Sequence, residues 1–363
     1  MKKSLLIVPL IALIVLASYL PPLIGISIDN SNILVVFITY ICTLIGLFRK
    51  EIYFKSHEIF LIIIQLVVAT IAMKANLVSL TIIVLLNVFF AHYNGDNNLN
   101  YYIKVSLLLF FLILMAYYLF GFNQSHDVSM WRINSMVSRR AIGFTQANQA
   151  MFAWFGIFIG CVLNPKVKGS AEYIILLFSS IFIYYQTKSR TGFIIILLIL
   201  LFIFLFRKYL DKNVPNLMKL VLVNFPLLLL IVSIWLISQS NNATLNSLLT
   251  GRPALYKQYF DLAGITVWGN KIIENKMLDN SYLSMLLGKG IVFTGLYIIT
   301  LMYLVISAKK ISFRTYIVLM LFFIYGLTET MLFRFELLIP IIISLNLDSS
   351  NQKYGRIGIE GDS

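Results

Sequence analysis

The residues best suited to chemistry are arginines standing where helices are expected to begin. In "TKSRTGFIIILLILL", Ser189 is placed to cap a helix whose first turn holds Arg190 and Gly192, with Lys188 just ahead of it. A helix N-terminus already carries about +0.5 of a charge, so cations there are unfavourable by some tenths of a kcal/mol. An anion docking on the free N–H groups and the guanidinium together would offset that cost, and Gly192 lets another group come close. "TGRPALYKQYFDLAGI" repeats the arrangement, with Arg252 ahead of Pro253, a residue suited to a first helical turn. A carboxylate follows in "LDNSYLSMLLGKGI": Asp279, beside Asn280, is a candidate general base and equally a candidate partner for Arg252 or Arg190. Neighbouring arginines are expected to depress its pKa and weaken it as a base.

The elements that must hold these residues are apolar. The 363-residue chain is 60% hydrophobic and 12% charged, about half the charge content of a soluble domain, so the composition describes a polytopic membrane protein. The expected fold is all-α: a helix bundle of about twelve transmembrane helices, near 4–20, 33–48, 59–73, 77–91, 104–122, 148–163, 173–187, 191–206, 218–238, 283–306, 313–328 and 331–346. The start "MKKSLLIVPLIALIVLASYLPP" reads as an uncleaved first span. With the N-terminus inside, the alternate short loops collect seventeen of the 29 cations and both termini are cytoplasmic. Residues 1–122 then carry five spans, 148–238 four and 283–346 three, with a cytoplasmic tail at 347–363. Two long loops, 123–147 and 239–282, fall outside, the second with a short amphipathic helix, 253–263, lying on the outer surface. Its polar side pairs Lys257 with Asp261 and its stop is Gly264; a plain interfacial anchor is the alternative reading.

Residue types separate the two faces. Inside, thirteen of seventeen cations are lysine; outside, six of eleven are arginine: Arg132, Arg139, Arg140, Arg190, Arg252 and Arg334. Arginine offers a planar fork that matches phosphate and carboxylate oxygens, so the outer face reads as built to hold an anion. Pairing with lipid phosphates or with Asp127, Asp261, Glu274, Asp279 and Glu329 is the plainer alternative. Asn148, with Gln146 and Gln149, stands at the mouth of a span, where amides can bond sugar hydroxyls or loop backbone. In "GLTETMLFRFELLIP", Arg334 with Glu329 or Glu336 reads as a structural pair more readily than a catalytic one. No metal-ligand cluster, nucleotide-binding glycine loop or internal repeat is visible, and Cys42 and Cys161 lie in apolar runs. No cofactor, metal or nucleic-acid partner is therefore expected. A flippase would concentrate charge along a path through the spans, and a scaffold would tolerate loss of single arginines.

Four ordered stretches, "RRAIGFTQANQ", "SRTGFIIILLILL", "TGRPALYKQYF" and "LDNSYLSMLLGKGI", resemble the bacterial O-antigen and capsule polymerases, within the larger group that includes the O-antigen ligases. The resemblance covers roughly residues 130–340. It implies a glycosyltransferase in the bacterial cytoplasmic membrane that joins repeat units carried on undecaprenyl diphosphate at the outer face. Arg190 and Arg252 are then implied to bind the diphosphate, Arg140 and Asn148 to support the first loop, and Asp279 and Asn280 to match the motif before the tenth span. Arg132 and Gly143 resemble an Arg-ten-residues-Gly pattern, which the second loop misses by one residue. Ligases of the group tend to have His-Asn where this chain has Asp279-Asn280, which favours a polymerase. Direct displacement from a lipid diphosphate would invert the anomeric carbon, with Asp279 the first choice of base. The outer cations Arg139, Lys188 and Arg334, with Asn280, are expected to help bind the substrate. A chain-length regulator and a flippase are the protein partners the resemblance suggests.

Overall fold

The computed structural model describes residues 6–350, apart from 27, 74, 96, 133–134, 168 and 275–277. Lys2, Lys3, Lys74, Lys168, Lys276, Lys353 and Arg356, counted above for topology, lie outside the described residues, as do most of the 347–363 tail and the Arg132 side chain. The chain is all-helical, 74% helix against 2% strand, as the unbroken apolar runs require. In chain order the helices are α1 (Ile7–Leu23), α2 (Ile28–Phe48), α3 (Ser56–Ala72), α4 (Ala75–Val78), α5 (Thr81–His92), α6 (Asn98–Phe120), α7 (Ala147–Leu163), α8 (Ser170–Thr187), α9 (Arg190–Leu205), α10 (Asn216–Ser238), α11 (Ala243–Leu248), α12 (Arg252–Ala263), α13 (Lys271–Glu274), α14 (Ser281–Leu283), α15 (Ile291–Ser307), α16 (Phe313–Tyr325) and α17 (Phe335–Ser350). Among the described residues, each stretch expected as a span falls largely on helix. Three, Ser31–Phe48, Asn98–Phe120 and Asn216–Ser238, are long and apolar enough to cross a membrane; the others are shorter or less apolar.

The helices sort into a core and a rind. Every residue from Thr81 to Phe90 of α5 is buried, as are nearly all of α7, and α17 packs against both. Around them α3, α8, α9 and α10 bury one stripe and leave large apolar side chains exposed, among them Phe60, Phe178, Phe204 and Leu217. Soluble proteins rarely expose so much contiguous apolar surface, and the rind is compatible with a membrane environment.

Three local features differ from expectation. The expected span 77–91 is broken into α4 and α5. The expected span 283–306 is interrupted by a π-turn at Ser284–Lys289 and by Gly290 at φ 94°. The segment before it supplies the reason: Ile291 and Val292 donate to the carbonyls of Thr266 and Val267 at 3.0 and 3.3 Å. That strand-like approach leaves no room for a Cβ at Gly290 or Gly269. The loop 123–147, expected as a long outer loop, contains a hairpin of β1 (Val128–Arg132) and β2 (Ser135–Arg139). Asp127 fixes the base of the hairpin, accepting from the Ala141 N–H at 2.7 Å and from the Tyr117 hydroxyl at 2.5 Å.

The amphipathic helix forms as expected, one residue longer at its start, with Lys257 and Asp261 paired at 2.6 Å and Gly264 ending it at φ 63°. Its apolar face, however, docks on protein. Tyr256 is fully buried in a small cluster with Leu236 and Ile237 of α10, Leu278 and Leu283.

Candidate functional site

The two arginine-led helices are entered in the same way. The residue two positions before each arginine, Lys188 or Thr250, has positive φ, 52° and 55°. Such backbone is uncommon for non-glycine residues and an outlier for a β-branched one; it turns the chain sharply, so that Arg190 and Arg252 become the first residues of α9 and α12. Ser189 occupies the cap position of α9, but its side chain makes no capping bond, and its buried Oγ has no partner among the described residues. The close approach anticipated at Gly192 is made by Tyr325 and Met151, which a Cβ would meet at 2.5 and 2.6 Å.

Both arginines face one cavity of about 680 Å3, which Arg139, Lys188, Asn148, Asp279 and Glu329 also line. Arg139 ends β2 and donates from Nε to the Thr187 carbonyl at 3.1 Å and from Nη2 to Asn148 Oδ1 at 2.5 Å. Asn148, in the first turn of α7, passes its own amide N–H to Glu329 Oε2 at 3.1 Å. Arg252 Nη2 lies 3.7 Å from Asp279 Oδ2 and 3.9 Å from Glu329 Oε1. These are ion-pair separations, too long for hydrogen bonds. The Arg190 guanidinium is exposed and has no hydrogen-bond or ion-pair partner among the described residues. The Lys188 ammonium lies 4.0 Å from the centroid of the Tyr185 ring. Four cations thus stand against two carboxylates around one void.

Six of the nine residues singled out from sequence meet here: Arg139, Asn148, Lys188, Arg190, Arg252 and Asp279. The other three are placed elsewhere. Arg140 is pinned to the end of α8, its N–H and guanidinium both bonding Gln186. Asn280 is fully buried and caps α14: its Oδ1 accepts from the Leu283 N–H at 3.0 Å and its Nδ2 donates to Ser233 at 3.1 Å. It lines no part of the cavity. Arg334 is buried in the core, pairing with Glu336 at 3.3 Å and covering the Phe152 ring at 4.9 Å.

Glu329 was left open by the sequence, as a partner of Arg334 or of another outer arginine. It faces Arg252 and Asn148, while Arg334 takes Glu336 as partner. Its place depends on Ser281, whose hydroxyl donates to the Glu329 carbonyl at 2.6 Å and accepts from the Met331 N–H at 3.0 Å. The Thr330 hydroxyl ties the same turn to the Leu278 carbonyl. Burial pushes the Glu329 carboxyl up to about 7, the Asp279 charge adding to this and Arg252, Arg139 and the Asn148 hydrogen bond opposing it. Asp279 is also raised, by burial first, against the pull of Arg252 and Arg139. The depression expected for Asp279 therefore does not occur, because partial desolvation outweighs the two guanidinium groups.

No family model, curated protein or solved structure matches this chain.

Proposed function

We propose that this protein is a metal-independent membrane glycosyltransferase that polymerises polysaccharide repeat units at the outer face of a bacterial cytoplasmic membrane. The substrate class is an oligosaccharide on undecaprenyl diphosphate, and the product is a capsular, exopolysaccharide or O-antigen chain. In this reading about twelve helices cross the bilayer, both termini are cytoplasmic, and the cavity opens outward.

One observation carries the reading: Arg190 and Arg252, each at the first position of a helix, converge with Arg139 and Lys188 on one void. Two carboxylates neutralise part of that charge and leave the site cationic. A diphosphate supplies the missing negative charge and the acceptor oxygens for both guanidinium forks. A leaving diphosphate needs no protonation when its developing charge is held by groups already in place. The loose contacts of Arg252 suit this role, since an anion can take its N–H groups without breaking a tight bond. A cavity of about 680 Å3 is in the range of small-molecule sites, and Asn148, Thr191, Thr250 and Thr328 give it neutral hydrogen-bonding groups for sugar hydroxyls. Displacement by an acceptor hydroxyl on the face opposite the diphosphate inverts the anomeric carbon.

The test is polymer formation in a deletion strain complemented with wild type, Arg190→Lys or Arg252→Lys, each confirmed in the membrane. Lysine keeps the charge and loses the fork, so both variants are expected to lose most high-molecular-weight glycan, about tenfold or more for one charge-assisted contact. Full-length glycan in both variants overturns the reading. Transfer of single units without chain growth points instead to a ligase.

A further inference from the structure

Two carboxylates face the same nitrogen of Arg252, and their surroundings differ. Asp279 has 45% of its side chain exposed at the cavity edge, whereas Glu329 has 7%. The orientation of Glu329 is fixed from behind. A guanidinium carries donors alone, so Asn148 must turn its oxygen to Arg139 and its NH2 to Glu329 Oε2. The other oxygen, Oε1, is left toward Arg252 and the cavity at 3.9 Å, with a lone pair that no hydrogen bond occupies among the described residues. The charged and titratable groups facing this carboxyl are Arg252 and Tyr256 from α12, Asp279 before α14, Arg139 from β2 and Tyr325 at the end of α16.

We infer that Glu329, through Oε1, is the general base that takes the proton of the acceptor hydroxyl, and that Asp279 aims Arg252 at the leaving group. The inference rests on the polymerase reading above. In the step, the acceptor O–H bond breaks and its proton moves to Glu329. The freed oxygen bonds the anomeric carbon as that carbon's bond to the diphosphate oxygen breaks. The electron pair leaves with the diphosphate, where Arg190 and Arg252 hold the charge. Two carboxylates in unlike environments can divide the work in this way, the buried one exchanging protons near neutral pH and the more exposed one orienting its guanidinium. A carboxyl titrating at about 7 is matched to proton transfer at neutral pH.

The experiment uses the full chain in phospholipid vesicles with a synthetic polyprenyl-diphosphate repeat unit. Wild type, Glu329→Gln, Glu329→Asp and Asp279→Asn are compared for kcat, donor KM and pH profile. Glu329→Gln is expected to lower kcat about 100-fold or more with donor KM within about threefold of wild type. Asp279→Asn is expected to act mainly on donor KM. Wild-type kcat/KM should rise with pH through about 7, and Glu329→Asp should shift that limb. Retention of kcat within about threefold by Glu329→Gln, or a pH limb unmoved in Glu329→Asp, overturns the inference. The Asp variant keeps the test decisive should the Gln variant not fold. Absence of polymer from folded wild type overturns the polymerase reading itself, a result distinct from an inactive Gln variant beside an active parent.

Discussion

At its two ends α7 meets arginine chemistry of opposite kinds. At the N-terminal end lies the cavity, where Arg252 approaches its carboxylates no closer than 3.7 Å and Arg190 stands unpaired among the described residues. Seventeen residues away, about 25 Å along the helix, Arg314 of α16 is 5% exposed and held at both terminal nitrogens. It donates to the carbonyls of Val162, Asn164 and Val167 at 3.0–3.3 Å and to Asp211 at 3.0 Å. The Val162 carbonyl belongs to the last turn of α7 and those of Asn164 and Val167 follow it, the place where an uncapped helix leaves acceptors unsatisfied. A guanidinium whose donors are filled by the chain itself fastens elements together. One held near, but not on, its partners beside a void keeps its donors for something else.

That contrast can be broken by experiment. The largest effect is expected at the fastened end: Arg314→Gln should destabilise the protein by about 3 kcal/mol or more, by leaving several carbonyls without their donor. Thermal melting in detergent would register this as a collapse in folded yield. Arg252→Gln should melt close to wild type and lose activity, so equal losses of stability in the two variants would end the distinction.

The next effect concerns pH. Glu329 is raised from the ordinary 4.5 to about 7 in the fold, so folding favours its protonated form. The stability this gives is complete below about pH 4.5 and gone above about pH 7. Glu329→Gln should therefore gain on wild type as pH rises through that window, by on the order of 3 kcal/mol. A melting difference that does not change between pH 4.5 and 8 would mean the carboxyl is not held protonated by its surroundings.

Smaller again is Asn280→Ala, which removes the cap of α14 and should cost about 1–2 kcal/mol. If Asn280 acts by positioning Asp279, the loss should also raise donor KM; a sole effect on kcat would place it among the reacting groups. Smallest is Lys257→Ala on the exposed face of α12, expected to change stability by less than about 0.5 kcal/mol.

The convergence of site residues was partly legible. Arginine at a helix start is a local pattern, and so are the Pro253 entry, the Lys257–Asp261 pair and the Gly264 stop, all of which follow from spacing within one helix. The hairpin of 128–139 was not legible, because five-residue strands with mixed side chains leave no periodic signal. The roles of Asn280 and Glu329 were not legible either. Each is decided by which distant element lies opposite: Asn148 and Glu329 are 181 residues apart when they bond, and Ser281 reaches 48 residues to hold the Glu329 carbonyl.

The sequence by itself determined the solvent this chain suits and the helices it forms, because both depend on apolar content and on period along a single strand of backbone. It also determined which residues had the chemistry to hold an anion, since that lies in the side chains. Tertiary structure decided which of those residues meet, which carboxylate is buried, and which arginines are already satisfied. Desolvation and partner choice are properties of what surrounds a group, and here the surroundings come from five elements spread between Arg139 and Glu329.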